Sequence, residues 1–129
     1  MKNGKQLTGK KGENEACAYL SQLGHTIIAR NWRSSHLELD IVSFIGGEIH
    51  FIEVKSRTAP VTADPLVNIT AAKRKNVARA AAAFLHSADK KMLPPDMDVC
   101  FDVITVILAP GGEVLEIEYY PKAFTPIYV

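Results

Sequence analysis

Leu37-Glu38-Leu39-Asp40-Ile41-Val42-Ser43-Phe44-Ile45-Gly46-Gly47-Glu48-Ile49-His50-Phe51-Ile52-Glu53-Val54-Lys55-Ser56-Arg57 has the composition of a β-hairpin. Two runs rich in apolar and β-branched residues flank a Gly-Gly pair, one of the residue pairs favoured in two-residue hairpin turns. If the glycines form the loop, Ile45 pairs with Glu48. Stepping outward then sets Asp40 opposite Glu53 and Glu38 opposite Lys55. A slip of one residue would put the two carboxylates on opposite faces, so this register is a specific expectation.

Facing residues in such a ladder hold their Cβ atoms about 4.5–5.5 Å apart. Two carboxylates at ~4 Å and an effective dielectric near ~20 repel by about 4 kcal/mol, a large fraction of the ~5–15 kcal/mol that stabilises a domain. Both strands are apolar on both parities, as in a ribbon covered on its two faces, so water does little to screen the pair. A divalent cation between Asp40 and Glu53 would resolve the conflict. Hard oxygen ligands with open coordination positions suit Mg²⁺ or Mn²⁺ when a phosphate supplies the rest. Lys55 leaves the same strand face as Glu53, where an ammonium can orient an attacking water and offset charge building on phosphorus. Hydrolysis of a phosphodiester is the reaction this set suits. The plainer alternative is that Glu-x-Lys is a chance spacing and that Glu38 and Lys55 form an ordinary cross-strand ion pair worth under ~1 kcal/mol.

With 129 residues, 47% of them hydrophobic, the chain is sized for a single domain over residues 1–129, with irregular ends expected at about 1–8 and 121–129. A net charge of +1 gives no global attraction to nucleic acid or membrane, so a polyanion site must come from local clusters. Two exist: Lys2, Lys5, Lys10 and Lys11, and Lys73, Arg74, Lys75 and Arg79. Such runs are by default solvated faces. Cys17 and Cys100 have no metal or redox spacing and are expected as buried free thiols, which implies a reducing cytoplasm. The four histidines, His25, His36, His50 and His86, also lack ligand spacing and are expected as surface or packing residues. No apolar run nears the ~18 residues that span a bilayer, and the first eleven residues have no signal-peptide core. A soluble cytoplasmic protein with no membrane partner is expected.

The periodicity predicts a helix over Gly12 to Leu23, with Ala16, Tyr19, Leu20 and Leu23 as its apolar stripe and Gly24 as its stop. Glu13 falls on the same stripe, either as a first-turn acid favoured by the helix dipole or as a site residue. His25 to Trp32 is predicted as a strand, followed by the hairpin and by a loop over Thr58 to Pro65 that could order on substrate. A second helix is expected from about Ile69 to Ser87, buried through Val77, Ala80, Ala81, Phe84 and Leu85. Its first half is basic, which opposes the macrodipole and calls for an anion such as phosphate. Strands over Val99 to Leu108 and Val114 to Tyr120 complete the order αβββαββ, an α/β sandwich with a central mixed sheet.

The motif series also carries a resemblance. Gly9-x-x-Gly12-Glu13-x-x-Ala16, Arg30-Asn31-Trp32-Arg33, Glu38-Leu39-Asp40-Ile41-Val42, Phe51-Ile52-Glu53-Val54-Lys55-Ser56-Arg57, Lys73 and Phe101-Asp102-Val103 resemble the YraN-like uncharacterised bacterial family across nearly the whole chain. That family is similar to archaeal Holliday junction resolvases and to the PD-(D/E)XK, restriction-endonuclease-like group. The resemblance implies a three-layer sandwich and Mg²⁺-dependent nuclease geometry, with Asp40, Glu53 and Lys55 as the catalytic set and Glu13 as an auxiliary acid. Leu37 stands where the family usually has glycine, Cys100 where it usually has arginine, and the loop after Arg57 lacks the usual Phe-Gly. These departures touch substrate contacts rather than the catalytic set.

The resulting expectation is a metal-dependent endonuclease acting on DNA, branched or single-stranded, rather than RNA. Asp40 and Glu53 would hold Mg²⁺ or Mn²⁺, and Arg57, Lys73 and Arg74 would contact phosphates. The alternative is a nucleic-acid-binding module of the same fold that does not cut and acts in repair or recombination complexes. Cutting both strands of a junction would call for a homodimer, with edge strands or the Tyr119–Val129 tail as contact.

Overall fold

The computed structural model describes residues 4–61, 69–87, 89 and 93–125. Its elements are α1 (Gly4–Gln22), β1 (Thr26–Ser34), β2 (Leu37–Ile45), β3 (Glu48–Thr58), α2 (Ala71–Leu85), β4 (Asp98–Leu108) and β5 (Val114–Tyr120). The order αβββαββ is the expected one. The strands form a single mixed sheet in the order β1-β2-β3-β4-β5, antiparallel except for the β3–β4 pair. A parallel pair cannot be joined by a hairpin, and the segment carrying α2 makes the crossover.

The apolar character of both strand parities has its explanation in two cores, one on each face of the sheet. On one face Ile49 and Phe51 of β3 and Phe101 of β4 pack against Val77, Ala80, Ala81 and Phe84 of α2. On the other, Ile52 of β3 and Ile104, Val106 and Leu108 of β4 pack against Ala16, Cys17 and Leu20 of α1. Burying a side chain of this size contributes ~1.5–3 kcal/mol each, so the three layers hold together mainly through these contacts.

Both hairpin glycines lie at positive φ, 55° and 78°, as a two-residue turn matching strand twist requires. Ile45 pairs with Glu48, and the register runs without a slip to Ile41 opposite Ile52. There the ladder stops. β2 continues beside β1, with Leu39 opposite Trp32 and Glu38 opposite Arg33, while β3 continues beside β4 as far as Thr58 opposite Leu108. The two strands therefore fork one pair short of the predicted Asp40–Glu53 pairing. Strand alternation slips at the same point: Leu39 joins the α2 core and Ile41 the α1 core, although two-residue spacing would give them one face.

Three expectations are corrected. The end expected to be irregular over residues 1–8 is helical from Gly4 onward, and α1 runs through Gly9 and Gly12. Leu23 is not part of the buried stripe; it is 48% exposed because α1 ends at Gln22 and Gly24, at φ 100°, turns the chain. Thr58 is the last residue of β3 rather than the start of a loop, and the rest of the loop expected up to Pro65 lies, from residue 62, outside the described residues. No helix among the described residues is long and apolar enough to cross a membrane.

Candidate functional site

The fork between β2 and β3 places the carboxylates. With no backbone partner across from it, Asp40 turns its side chain into the gap, and its Oδ2 accepts the Val54 N–H at 2.9 Å. The carboxylate thus replaces the next rung of the ladder and is held by it. Burial first, and then the facing Glu53 carboxylate, push Asp40 up to about 7, against the opposing pull of the Val54 N–H and of Lys73. Glu13 acts in the same direction as Glu53. Asp40 and Glu53 are thus electrostatically coupled at the fork, although not as a ladder pair.

Glu53 has a partner of its own. Lys73 Nζ lies 3.1 Å from Glu53 Oε1, with the glutamate side chain only 13% exposed. Thr70 caps α2 by accepting the Lys73 N–H, which fixes the first turn and aims Lys73 at the sheet. The anion that answers the basic start of α2 is therefore Glu53. Burial lowers the Lys73 ammonium's pKa, but the Glu53 charge and hydrogen bond outweigh it and the net shift is upward. Lys55, half-buried beside Glu53, goes the other way. Burial lowers it, Arg57 and Lys73 add to that, and the pull of Glu53 and Asp40 does not cancel it.

Glu13 reaches the site through a close approach of α1 to β3. A Cβ on Gly12 would sit 1.8 Å from Ser56 Oγ and 2.7 Å from Ser56 Cβ, so only glycine lets the helix lie there. The next residue, Glu13, accepts from Asn31 Nδ2 at 2.7 Å and from Arg30 Nη2 at 3.1 Å and Nε at 3.3 Å. Asn31 is at φ 51°, a left-handed conformation that asparagine tolerates better than most residues. Glu13 and Asp40 line one open cleft of about 1650 Å³ together with Lys10, Lys11, Arg30, Arg33 and Arg57. That volume exceeds the ~300–1,000 Å³ usual for small-molecule pockets, and five cationic side chains on its wall suit a polyanion segment.

The structure brings Asp40, Glu53, Lys55 and Lys73 into one charge cluster at the fork and puts Glu13 and Arg57 on the adjoining cleft. One expected placement fails. Glu38 does not face Lys55, because the strands have parted; its Oε2 lies 3.4 Å from Arg33 Nη2 on β1 instead. Lys73 is paired with Glu53 while its side chain stays 43% exposed. Arg74 is half-buried and its Nε has no hydrogen-bond partner among the described residues, while Arg57 is exposed and donates to its neighbouring Ser56 carbonyl at 2.8 Å. Arg30 and Asn31 had no assigned role from their spacing, since both contact Glu13, 17 and 18 positions away in sequence. The chemistry open to this arrangement is that of two hard carboxylates, one poised near neutrality, which could hold Mg²⁺ or Mn²⁺.

A family model described as "Uncharacterised protein family UPF0102" matches residues 12–106. A UPF0102 protein of Nitratidesulfovibrio vulgaris is 40% identical over 124 residues, 96% of this chain and 88% of that protein. One from Bacteroides thetaiotaomicron is 41% identical over 92% of each chain, and one from Chlorobaculum tepidum is 38% identical over 95% of each. The matched residues run from Gly12, the contact of α1 with β3, through the fork to Val106 of β4. The chain belongs to the UPF0102 family.

Proposed function

We propose that this protein is a metal-dependent endonuclease that hydrolyses DNA phosphodiester bonds at the β2–β3 fork. The observation that carries this reading is Asp40. A carboxyl group is held beside Glu53 in a gap between strands with its pKa near 7, beside a cleft with five cationic side chains. A buried acid in that state gains most from exchanging its proton for a dication. Asp40 and Glu53 would hold Mg²⁺ or Mn²⁺, which when bound would supply Lewis acidity toward the scissile phosphate and make a bound water more acidic. The chain's own groups do the rest. Lys10, Lys11 and Arg57 bind flanking phosphates, Lys55 orients the attacking water and offsets charge on the phosphorus, and Glu13 keeps Arg30 directed along the cleft wall.

One observation favours a second reading, a DNA-binding module that does not cut: Lys73 occupies Glu53 as an internal counter-ion. A cleavage assay separates the two. Branched, single-stranded and duplex DNA are incubated with the protein and Mg²⁺ or Mn²⁺, beside Asp40→Asn and Glu53→Gln. Nuclease chemistry predicts nicking of at least one DNA form that falls ~10²-fold or more in either variant. Salt-dependent binding with no turnover under either metal supports the binding module, and cleavage that survives both substitutions rules out this site.

A further inference from the structure

At the far end of β3 from the fork, about 16 Å away at ~3.3 Å per residue, a second constellation faces the α1 side of the sheet. His50 on β3 and Cys100 on β4 are direct partners in the parallel ladder, and Glu48 lies two residues before His50 on the same strand face. His50 and Cys100 are buried, 3% and 4% exposed, while Glu48 opens toward solvent. Glu48 Oε1 lies 3.2 Å from His50 Nε2, and one ligand atom from each of the three residues falls within 4.8 Å of the others.

The surroundings orient this group. Asp102, fully buried, is 2.5 Å from His50 Nδ1 through its Oδ2, which also accepts the Tyr119 hydroxyl, while its Oδ1 accepts the Lys122 N–H at 2.9 Å. The His50 ring lies between two carboxylates, Asp102 at Nδ1 and Glu48 at Nε2, and the Nε2–Glu48 contact can be bridged by a proton, as in an imidazolium, or by a metal ion that displaces that proton. The carboxylate–histidine pair is the arrangement that fixes metal-binding imidazoles in metalloproteins. Tetrahedral Zn²⁺ with bonds of ~2.0–2.2 Å to N and O sets those atoms roughly 3.4 Å apart, close to the spacing already present. The other Glu48 oxygen lies 3.4 Å from Lys122 Nζ, which leaves Oε1 as the single donor on the His50 side.

We propose that Glu48, His50 and Cys100 form a second metal site, distinct from the fork, for a thiophilic dication of the Zn²⁺ type, with solvent as the fourth ligand. Thiolate and imidazole discriminate against Mg²⁺, so the two sites take different ions. On binding, metal–S, metal–N and metal–O bonds form, the Cys100 S–H bond breaks and its proton goes to solvent. Any proton on His50 Nε2 leaves with it. The ion ties β3 to β4 across the parallel pair, which no hairpin closes.

Co²⁺ titrated into chelator-stripped full-length protein tests this. One equivalent is expected to give the thiolate-to-cobalt charge-transfer band in the near ultraviolet and the strong visible bands of a four-coordinate ion, both bleached by one equivalent of Zn²⁺. Cys100→Ser should abolish the charge-transfer band, and Glu48→Gln, at a partly exposed position, should weaken Co²⁺ binding at least ~10-fold. Cys17→Ser and Asp40→Asn should leave the spectrum unchanged. Absence of a charge-transfer band in the wild type overturns the proposal, as does a band that survives Cys100→Ser or disappears in Cys17→Ser. If Cys100→Ser does not fold, unaltered affinity in Glu48→Gln overturns it.

Discussion

Asp40 is the residue on which the fork's chemistry turns, and its protonation is open to measurement. Its folded pKa, about 7, lies above the ordinary value of 3.8, so between those limits the native state binds a proton that the unfolded chain has released. Stability is therefore favoured by protonation at low pH and declines as pH rises from about 4 to 7. At 1.36 kcal/mol per pKa unit the ceiling is about 4 kcal/mol. Asp40→Asn is expected to stabilise the metal-free protein by about 2–4 kcal/mol at pH 8 and by much less at pH 4, read from urea melts at both values. Equal effects at both pH values would show that Asp40 is not desolvated. Lys73→Ala tests the counter-ion role: removing an ion pair worth ~0.2–1 kcal/mol should raise Mn²⁺ affinity by about 1.4- to fivefold, because Glu53 is released. A fall in affinity would mean that Lys73 assembles the site instead of competing for it.

At the scale of elements, the site depends on the approach of α1 to β3 and on the parting of β2 from β3. In a helix interior alanine is favoured over glycine by up to ~1 kcal/mol, yet at Gly12 the added methyl would meet Ser56 Oγ at 1.8 Å. The clash dominates. Gly12→Ala should destabilise by about 1–3 kcal/mol in a thermal melt, and Gly12→Ala combined with Ser56→Gly should recover most of it. A stabilised single mutant would contradict the packing. Much of this level was legible in sequence: the hairpin turn, the register up to Ile41 and Ile52, the buried face of α2 and the limits of β5 follow from local pattern. The fork was not, because a register extrapolates straight and nothing local to Asp40 says that β2 will follow β1. The helix was expected only from Gly12, because the apolar stripe that marks it lies beyond that residue, whereas α1 starts at Gly4 and Gly12 is required by a contact 44 positions away. Asp102 had no legible role, since His50, Tyr119 and Lys122 reach it from β3, from β5 and from just beyond β5.

For the whole molecule, a net charge of +1 conceals an uneven distribution, because Lys10, Lys11, Arg30, Arg33 and Arg57 share one cleft. Nucleic-acid binding through this cleft should weaken linearly in log affinity against log salt. Replacing Lys10, Lys11 and Arg57 together by alanine should lower that slope by about 2–3, at ~0.7–0.9 per phosphate contact. An unchanged slope would move the nucleic acid to another surface. The two metal sites proposed for the start and the middle of β3 also separate at this scale, since the fork offers only oxygen donors and the other site offers sulfur and nitrogen.

The most direct test of the central claim, that Asp40 and Glu53 jointly hold a divalent cation at the fork, is a Mn²⁺ titration followed by electron paramagnetic resonance. It would be run on the wild type, Asp40→Asn, Glu53→Gln and Cys100→Ser. The account predicts one Mn²⁺ per chain in the wild type and in Cys100→Ser, with affinity rising as pH increases through about 7 as the proton on Asp40 gives way. It also predicts loss of that ion in both carboxylate variants. Mn²⁺ binding that persists in Asp40→Asn and Glu53→Gln, or that is absent from the wild type, would contradict it.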